Sequence, residues 1–214
     1  NALCPSGQGR FLLLFGGSFR LFPGRIGLGS SLERGAGMGK IVLYISISLD
    51  GYIADIDGGV DWLGGENAGY QGDYGFSAFF ETVEAILMGG RTYRQVRREL
   101  SPDVWPYQGK QVYVLTHQAE ADAPEGVRFI SGPSAQLLRQ LREQTNGTVW
   151  VCGGADVVEQ CLPEIEEFHL TVMPVLLGDG IPLFRPGRER IPLTLAALRR
   201  ENGVVDCIYK RKTN

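Results

Sequence analysis

Ala85-Ile86-Leu87-Met88-Gly89-Gly90-Arg91-Thr92 and Thr148-Val149-Trp150-Val151-Cys152-Gly153-Gly154-Ala155-Asp156 are built alike. In each, a short apolar run ends in a glycine pair. The chain then passes into a helical pattern, Tyr93-Arg94-Gln95-Val96 after the first and Val157-Val158-Glu159-Gln160 after the second. Glycine at a strand-to-helix turn leaves backbone bare to a ligand. The helix that follows offers unpaired N–H groups and the positive end of its dipole. Two such turns suggest a ligand with phosphates held at two places, and a dinucleotide fits. Glycine also makes tight turns for its own sake, and neither stretch completes a G-x-G-x-x-G pattern.

Outward from these turns, strands alternate with helices. Ile41 to Leu49 is a β-branched run closed by Asp50-Gly51, followed by a Gly- and Asp-rich loop from Asp55 to Gly75. Phe79, Phe80 and Val83 fall at helical spacing in Ser77 to Glu84. Ala85 to Met88 predicts a strand, Thr92 to Glu99 a helix, and Gln111 to Thr116 and Val127 to Ile130 two more strands. Ser134 to Gln144 reads as a helix with a serine N-cap and Leu137, Leu138 and Leu141 on one face. Thr148 to Cys152 is a strand, Ala155 to Cys161 a helix, and Phe168 to Leu177 and Val204 to Tyr209 the last strands. The alternation predicts an α/β sandwich around a mostly parallel sheet. The last two strands have no helix between them and should pair antiparallel at one edge.

Composition narrows the class. Of 214 residues, 43% are hydrophobic and 21% charged, as expected for one globular domain with a sizeable core. A net charge of -3 provides no electrostatic footprint for nucleic acid. Cys4, Cys152, Cys161 and Cys207 form no C-x-x-C pair, and two histidines are too few for a His-rich metal site. Residues 1–37 match the rest poorly: their apolar run, Phe11 to Phe15, is too short to span a bilayer and is broken by Gly16-Gly17. We read 1–37 as a non-native or disordered extension and 38–214 as one cytoplasmic domain that begins at Met38.

These residues carry a resemblance. Ser48-Leu49-Asp50-Gly51-Tyr52-Ile53-Ala54, Met88-Gly89-Gly90-Arg91-Thr92-Tyr93 and Cys152-Gly153-Gly154-Ala155 occur in order, followed by Glu159-Gln160-Cys161-Leu162-Pro163 and Pro174-Val175-Leu176-Leu177-Gly178-Asp179-Gly180-Ile181-Pro182-Leu183-Phe184. In this order and spacing, Lys40 to Lys212 resembles the dihydrofolate reductase-like family, and within it most the C-terminal reductase domain of bacterial bifunctional riboflavin-biosynthesis proteins. The resemblance implies a three-layer α/β fold, hydride transfer from NADPH and a homodimer through the C-terminal strands. It implies that Gly89, Gly90, Arg91 and Thr92 cradle the adenosine-side phosphates, with Arg91 available to a ribose 2′-phosphate. Thr116 and His117 would meet the adenosine end. Gly153, Gly154 and Ala155 would lie along the pyrophosphate, and Ser46 near the nicotinamide carboxamide. The family usually has a basic residue where this chain has Gly90.

For the substrate, the same resemblance places a pocket carboxylate at Asp73, bonded to Thr171. A buried Asp73 would have a raised pKa and could protonate or hold a heterocyclic ring. Asp73 equally reads as a cap for the helix start. Asp50 is a second candidate acid, although Asp before Gly is ordinary turn chemistry. Trp62 and Phe76 could wall the ring, or belong to the core. Folate-reducing members carry an arginine before the strand that begins here at Gln111. Lys110 stands there and lacks the bidentate fork, which turns the expectation toward a pyrimidine or another heterocyclic carbonyl or imine. Three functions follow: a reductase resembling 5-amino-6-(5-phosphoribosylamino)uracil reductase, a dihydrofolate or relaxed-specificity reductase, or a non-catalytic nucleotide-binding domain. No H-x-E…P-C-x-x-C deaminase motif accompanies the first.

Overall fold

β-branched runs become strands wherever a helix can cover them, and here both faces of the sheet are covered. The structure, a computed structural model, describes residues 38–212; the reading of 1–37 lies outside the described residues. Its strands are β1 (Lys40–Ser48), β2 (Tyr52–Ala54), β3 (Val83–Gly89), β4 (Gln111–Leu115), β5 (Val127–Ile130), β6 (Thr148–Gly153), β7 (Glu167–Met173), β8 (Ile181–Pro182), β9 (Leu193–Glu201) and β10 (Val204–Arg211). Its helices are α1 (Phe76–Thr82), α2 (Gly90–Gln95), α3 (Ser134–Gln144) and α4 (Ala155–Cys161).

The main sheet has the order β5-β4-β3-β6-β1-β7-β10-β9. Strands β5 through β7 are parallel, and β10 and β9 continue the sheet antiparallel. All six residues of β6 are buried, as its position at the centre requires. On one face, Leu138 and Leu141 of α3 and Val157 and Val158 of α4 pack on Ile41, Leu43 and Val151. On the other, Phe76 and Phe79 of α1 and Tyr93 of α2 pack on Val42, Tyr44 and Trp150. Alternate residues of β1 thus serve opposite cores, the period of two that a strand covered on both sides must show. The predicted three-layer sandwich is the fold.

Several boundaries differ from the expectation. The helix read as Ser77 to Glu84 is Phe76–Thr82, because Val83 already pairs with Thr148 in the sheet. The helix expected over Thr92 to Glu99 starts earlier and widens into a π-turn over Val96–Leu100. The closing pair is antiparallel as expected, but β9 was not foreseen, and β10 lies between it and β7. Residues 193–200 are all exposed, so β9 lacks the alternating burial that marks a strand in sequence.

Candidate functional site

Each parallel strand ends at the same edge, and the chain leaves neighbouring strands in opposite directions there. From β3 it moves outward to β4 and β5, whereas from β6 it crosses to β7 on the far side of β1. A crevice opens at such a divergence, outside the carboxyl ends of the strands. Five adjacent strand ends, β5 to β1, cover about 19 Å at a spacing of about 4.8 Å. A cleft of about 750 Å³ runs along this edge, within the usual size for a ligand site.

Nine of the ten residues assigned to a cofactor line this cleft: Ser46 from β1, Gly89 to Thr92 at the β3–α2 turn, Thr116 and His117 after β4, and Gly154 and Ala155 after β6. Gly153 is the exception. It turns the chain at φ +120°, which favours glycine, and a Cβ there would stand 3.3 Å from Ile45 Cδ1. The Gly153–Gly154 peptide is cis. At Gly90 a Cβ would come 2.8 Å from Thr116 Cβ and Oγ1, so the absent side chain lets α2 close on β4.

Arg91 is exposed at the cleft rim. Arg94, one turn on, was not singled out in the sequence. It also lines the cleft, with Nη1 3.4 Å from where a Gly90 Cβ would stand. Neither has an ion-pair partner among the described residues, whereas Arg185 and Arg188 are paired with Asp156 and Glu159. Two unpaired guanidiniums beside bare glycine backbone suit a phosphate. Part of the lining is apolar, with Val96 and Leu100 of the π-turn, Tyr107, and Cys152. Burial pushes the Cys152 thiol up to about 12, which makes it an inert wall.

The residues expected to handle substrate are placed differently. Asp73 does not meet Thr171. Its Oδ1 accepts the Gly75 N–H at 2.8 Å and its Oδ2 the Ser77 N–H at 2.9 Å, so it caps α1. Burial alone would raise this carboxyl, but the bonds from Ser77 and Gly75 and the Arg199 charge outweigh it and lower the pKa, contrary to the expected rise. Thr171 donates instead to Asp206 Oδ1 at 2.7 Å, and Arg199 holds Asp206 Oδ2 at 3.1 Å.

Asp50 ties a turn: it accepts the Ser48 hydroxyl at 2.5 Å and the N–H groups of Leu177 and Gly178. These bonds, Ser48 foremost, lower its pKa. Phe76 is core, edge-on to Trp150, and Trp62 donates to Gly59 O at 3.2 Å beside the cluster of Leu63 and Met173. Neither lines the cleft. Lys110 donates to Val83 O at 2.6 Å and lies 4.9 Å over the Phe80 ring, turned away from the cleft.

An aspartate within the apolar run Val204-Val205-Asp206-Cys207-Ile208 is the one sequence signal for Asp206. Its match to Thr171 needed the β7–β10 register. No group of His, Cys, Asp and Glu fit to hold a metal occurs among the described residues, and no described helix is long and apolar enough to cross a membrane.

A family model described as the RibD C-terminal domain matches residues 39–203. The chain belongs to the RibD C-terminal domain family. Within this reductase-like family, YwjB of Bacillus subtilis (strain 168) is 40% identical over 174 residues, 80% of this chain and 98% of YwjB. YyaP of the same organism is 26% identical over 181 residues, 79% of this chain and 94% of YyaP. Among solved structures, a Shewanella sp. PV-4 protein whose name assigns it to riboflavin biosynthesis is 30% identical at a TM-score of 0.70, over 81% of this chain and 99% of that one. A Thermotoga maritima protein named as a diaminohydroxyphosphoribosylaminopyrimidine deaminase/5-amino-6-(5-phosphoribosylamino)uracil reductase is 18% identical at a TM-score of 0.59. The similarity covers 82% of this chain but 57% of that protein, and it concerns the fold alone.

Proposed function

We propose that the chain is an NADPH-dependent reductase that transfers hydride to a heterocyclic or ribosylamino substrate, as in 5-amino-6-(5-phosphoribosylamino)uracil reduction. The observation that carries this reading is the cleft along the parallel strand ends, lined by bare glycine backbone and two unpaired arginines. Gly89, Gly90 and Gly154 give phosphates access to backbone, Arg91 and Arg94 supply charge for a 2′-phosphate, and Thr116 and His117 flank the adenosine end. Ser46 on β1 and the apolar lining of Val96, Leu100 and Tyr107 leave room for a flat ring and exclude water. Bound there, a reduced nicotinamide supplies the hydride.

Lys110 favours this substrate class over dihydrofolate. Its ammonium is spent on the Val83 carbonyl and the Phe80 face, so it offers nothing to a glutamate tail. We also propose a cytoplasmic homodimer through the C-terminal strands. The test compares NADPH oxidation with dihydrofolate and with the ribosylamino-pyrimidine side by side. Turnover of the pyrimidine supports the reading, and turnover of dihydrofolate alone replaces it. NADPH binding without turnover of either leaves a nucleotide-binding domain.

A further inference from the structure

After β8 the chain runs along α4 and is pinned there. Leu183, buried, donates its N–H to Gly51 O at 3.0 Å, and Phe184 stands edge-on to Phe168. Arg188 bonds Glu159 of α4 at 2.8 Å, gives Nε and Nη2 to the Arg185 carbonyl at 2.9 and 2.7 Å, and covers the Phe184 ring. The backbone of Arg185 is thereby fixed, but its side chain is not enclosed. The guanidinium, 58% exposed, meets the carboxylate of Asp156 in the first turn of α4, itself 69% exposed.

The two ion pairs of this segment differ in kind. Arg188 and Glu159 are partly buried and outside the cleft, whereas Arg185 and Asp156 both line it, beside Gly154 and Ala155. An exposed ion pair favours contact by about fivefold at most, because water screens the charges and long side chains lose freedom. A phosphate offers a guanidinium two oxygens at once and forms stronger bonds, so it can take this pair apart. Position also separates Arg185 from the arginines of α2. Arg94 Nη1 and Thr116, at the exit of β4, border the place of a Gly90 Cβ at 3.4 and 2.8 Å. Arg185 meets the helix that follows β6, two strand spacings from β4, or about 10 Å. The glycine turns abut between them: a Gly89 Cβ would stand 3.9 Å from Gly154 N, and a Gly154 Cβ 3.4 Å from Thr92 Oγ1. A nicotinamide dinucleotide carries its pyrophosphate in the middle, and NADPH adds a phosphate on the adenosine ribose. With adenosine at Thr116 and His117, that added phosphate belongs to Arg94, and the pyrophosphate to the turns that Arg185 borders.

We propose that Arg185 exchanges the carboxylate of Asp156 for the pyrophosphate of a dinucleotide, and that this exchange sets how tightly NADPH and NADH alike are held. The inference rests on the reductase reading in one respect only: the ligand of the cleft is a nicotinamide dinucleotide. Arg185 is the binding residue, and Asp156 acts through it as a positioning residue. The carboxylate keeps the guanidinium at the rim and competes for it, and once released it turns to water, as its exposure permits. Arg91 and Arg94 tell one dinucleotide from the other, whereas Arg185 and Asp156 treat both the same. A grip loosened by an internal competitor lets the oxidised dinucleotide leave after each turnover.

The test titrates the full chain with NADPH and with NADH, followed by their fluorescence, in the parent, Arg185→Ala, Asp156→Asn and the double variant. The pair is exposed, so neither substitution removes a buried contact. Arg185→Ala should weaken both dinucleotides about tenfold, the effect of one charge-assisted hydrogen bond. Asp156→Asn should tighten both, by about two- to fivefold, the strength of the pair it dissolves. In the double variant that gain should disappear, leaving affinities within twofold of Arg185→Ala. Unchanged binding in Arg185→Ala, or a loss confined to NADPH, overturns the proposal. So does an Asp156→Asn gain that persists without Arg185, since the carboxylate then acts by simple repulsion. A parent chain that binds neither dinucleotide overturns the inference together with the reductase reading. The expected shifts without NADPH oxidation count against the reductase reading alone.

Discussion

At the scale of single residues, α2 brings two arginines to the cleft for the proposed 2′-phosphate role, where the sequence pointed to one. Arg91 is exposed, whereas Arg94 packs its guanidinium into the space that Gly90 leaves empty. A charge held against protein forms stronger bonds to phosphate than one swinging in water. Arg94→Ala is therefore expected to weaken NADPH about tenfold or more with little change for NADH, and Arg91→Ala to have the smaller effect. Paired titrations with the two cofactors check this, and equal losses for both cofactors would remove the 2′-phosphate role.

Asp73 is expected to matter for stability and not for hydride transfer. Asp73→Ala should cost about 1 kcal/mol through its cap on α1. Its carboxyl is lowered in the folded chain, so its contribution is present above the unfolded value of about 4 and lost as pH falls through the folded one. Denaturation of both forms at pH 7 and pH 3 should show the difference shrinking in acid. The capping reading of Asp73 was legible from its place before the helix. Its partnership with Thr171 was not borne out, because Asp206 reaches that hydroxyl from another strand.

At the scale of elements, the turns were legible and the edges were not. Glycine pairs after apolar runs marked the β3–α2 and β6–α4 junctions for two different reasons: Gly153 turns at φ +120°, and a Cβ at Gly90 would stand 2.8 Å from Thr116. Strand β9 was invisible because burial pattern is what makes a strand readable, and its residues 193–200 are all exposed. The π-turn Val96–Leu100 sits in a sequence that reads as ordinary helix, yet it brings Val96 and Leu100 to the cleft.

Strand β6 is locked to β1 by more than its ladder, since buried Trp150 donates Nε1–H to the Tyr44 carbonyl at 3.0 Å. Trp150→Phe removes the N–H that this oxygen accepts and leaves a small cavity where the larger indole packed. A loss of about 1–3 kcal/mol is expected. Chemical denaturation should show it as a lower midpoint with unchanged slope.

At the scale of the whole molecule, β9 presents an unpaired edge with Leu193, Leu195 and Leu198 exposed at 39%, 48% and 60%. Long apolar edges invite another chain, and natural proteins blunt those that stay free. The proposed homodimer would cover this edge. Light scattering at micromolar concentration should report twice the chain mass, and Leu195→Glu combined with Leu198→Glu should yield a folded monomer. A monomeric parent chain would remove the proposal. Layer order and strand direction were readable from the alternation of strands and helices, because short crossovers leave few topologies.

The insertion of β6 between β3 and β1 also sets a schedule for synthesis. In the main sheet β1 pairs only with β6 and β7, so Lys40 waits for Thr148, a separation of 148 − 40 = 108 residues. At ribosomal speeds of about 5–20 residues per second, that is about 5–20 s in which Ile41 to Ile47 has emerged without a sheet neighbour. A strand of the finished core thus spends that interval as an apolar segment of the nascent chain with no neighbour in the main sheet. Chaperone capture and yield at raised temperature should depend on how quickly translation reaches β6.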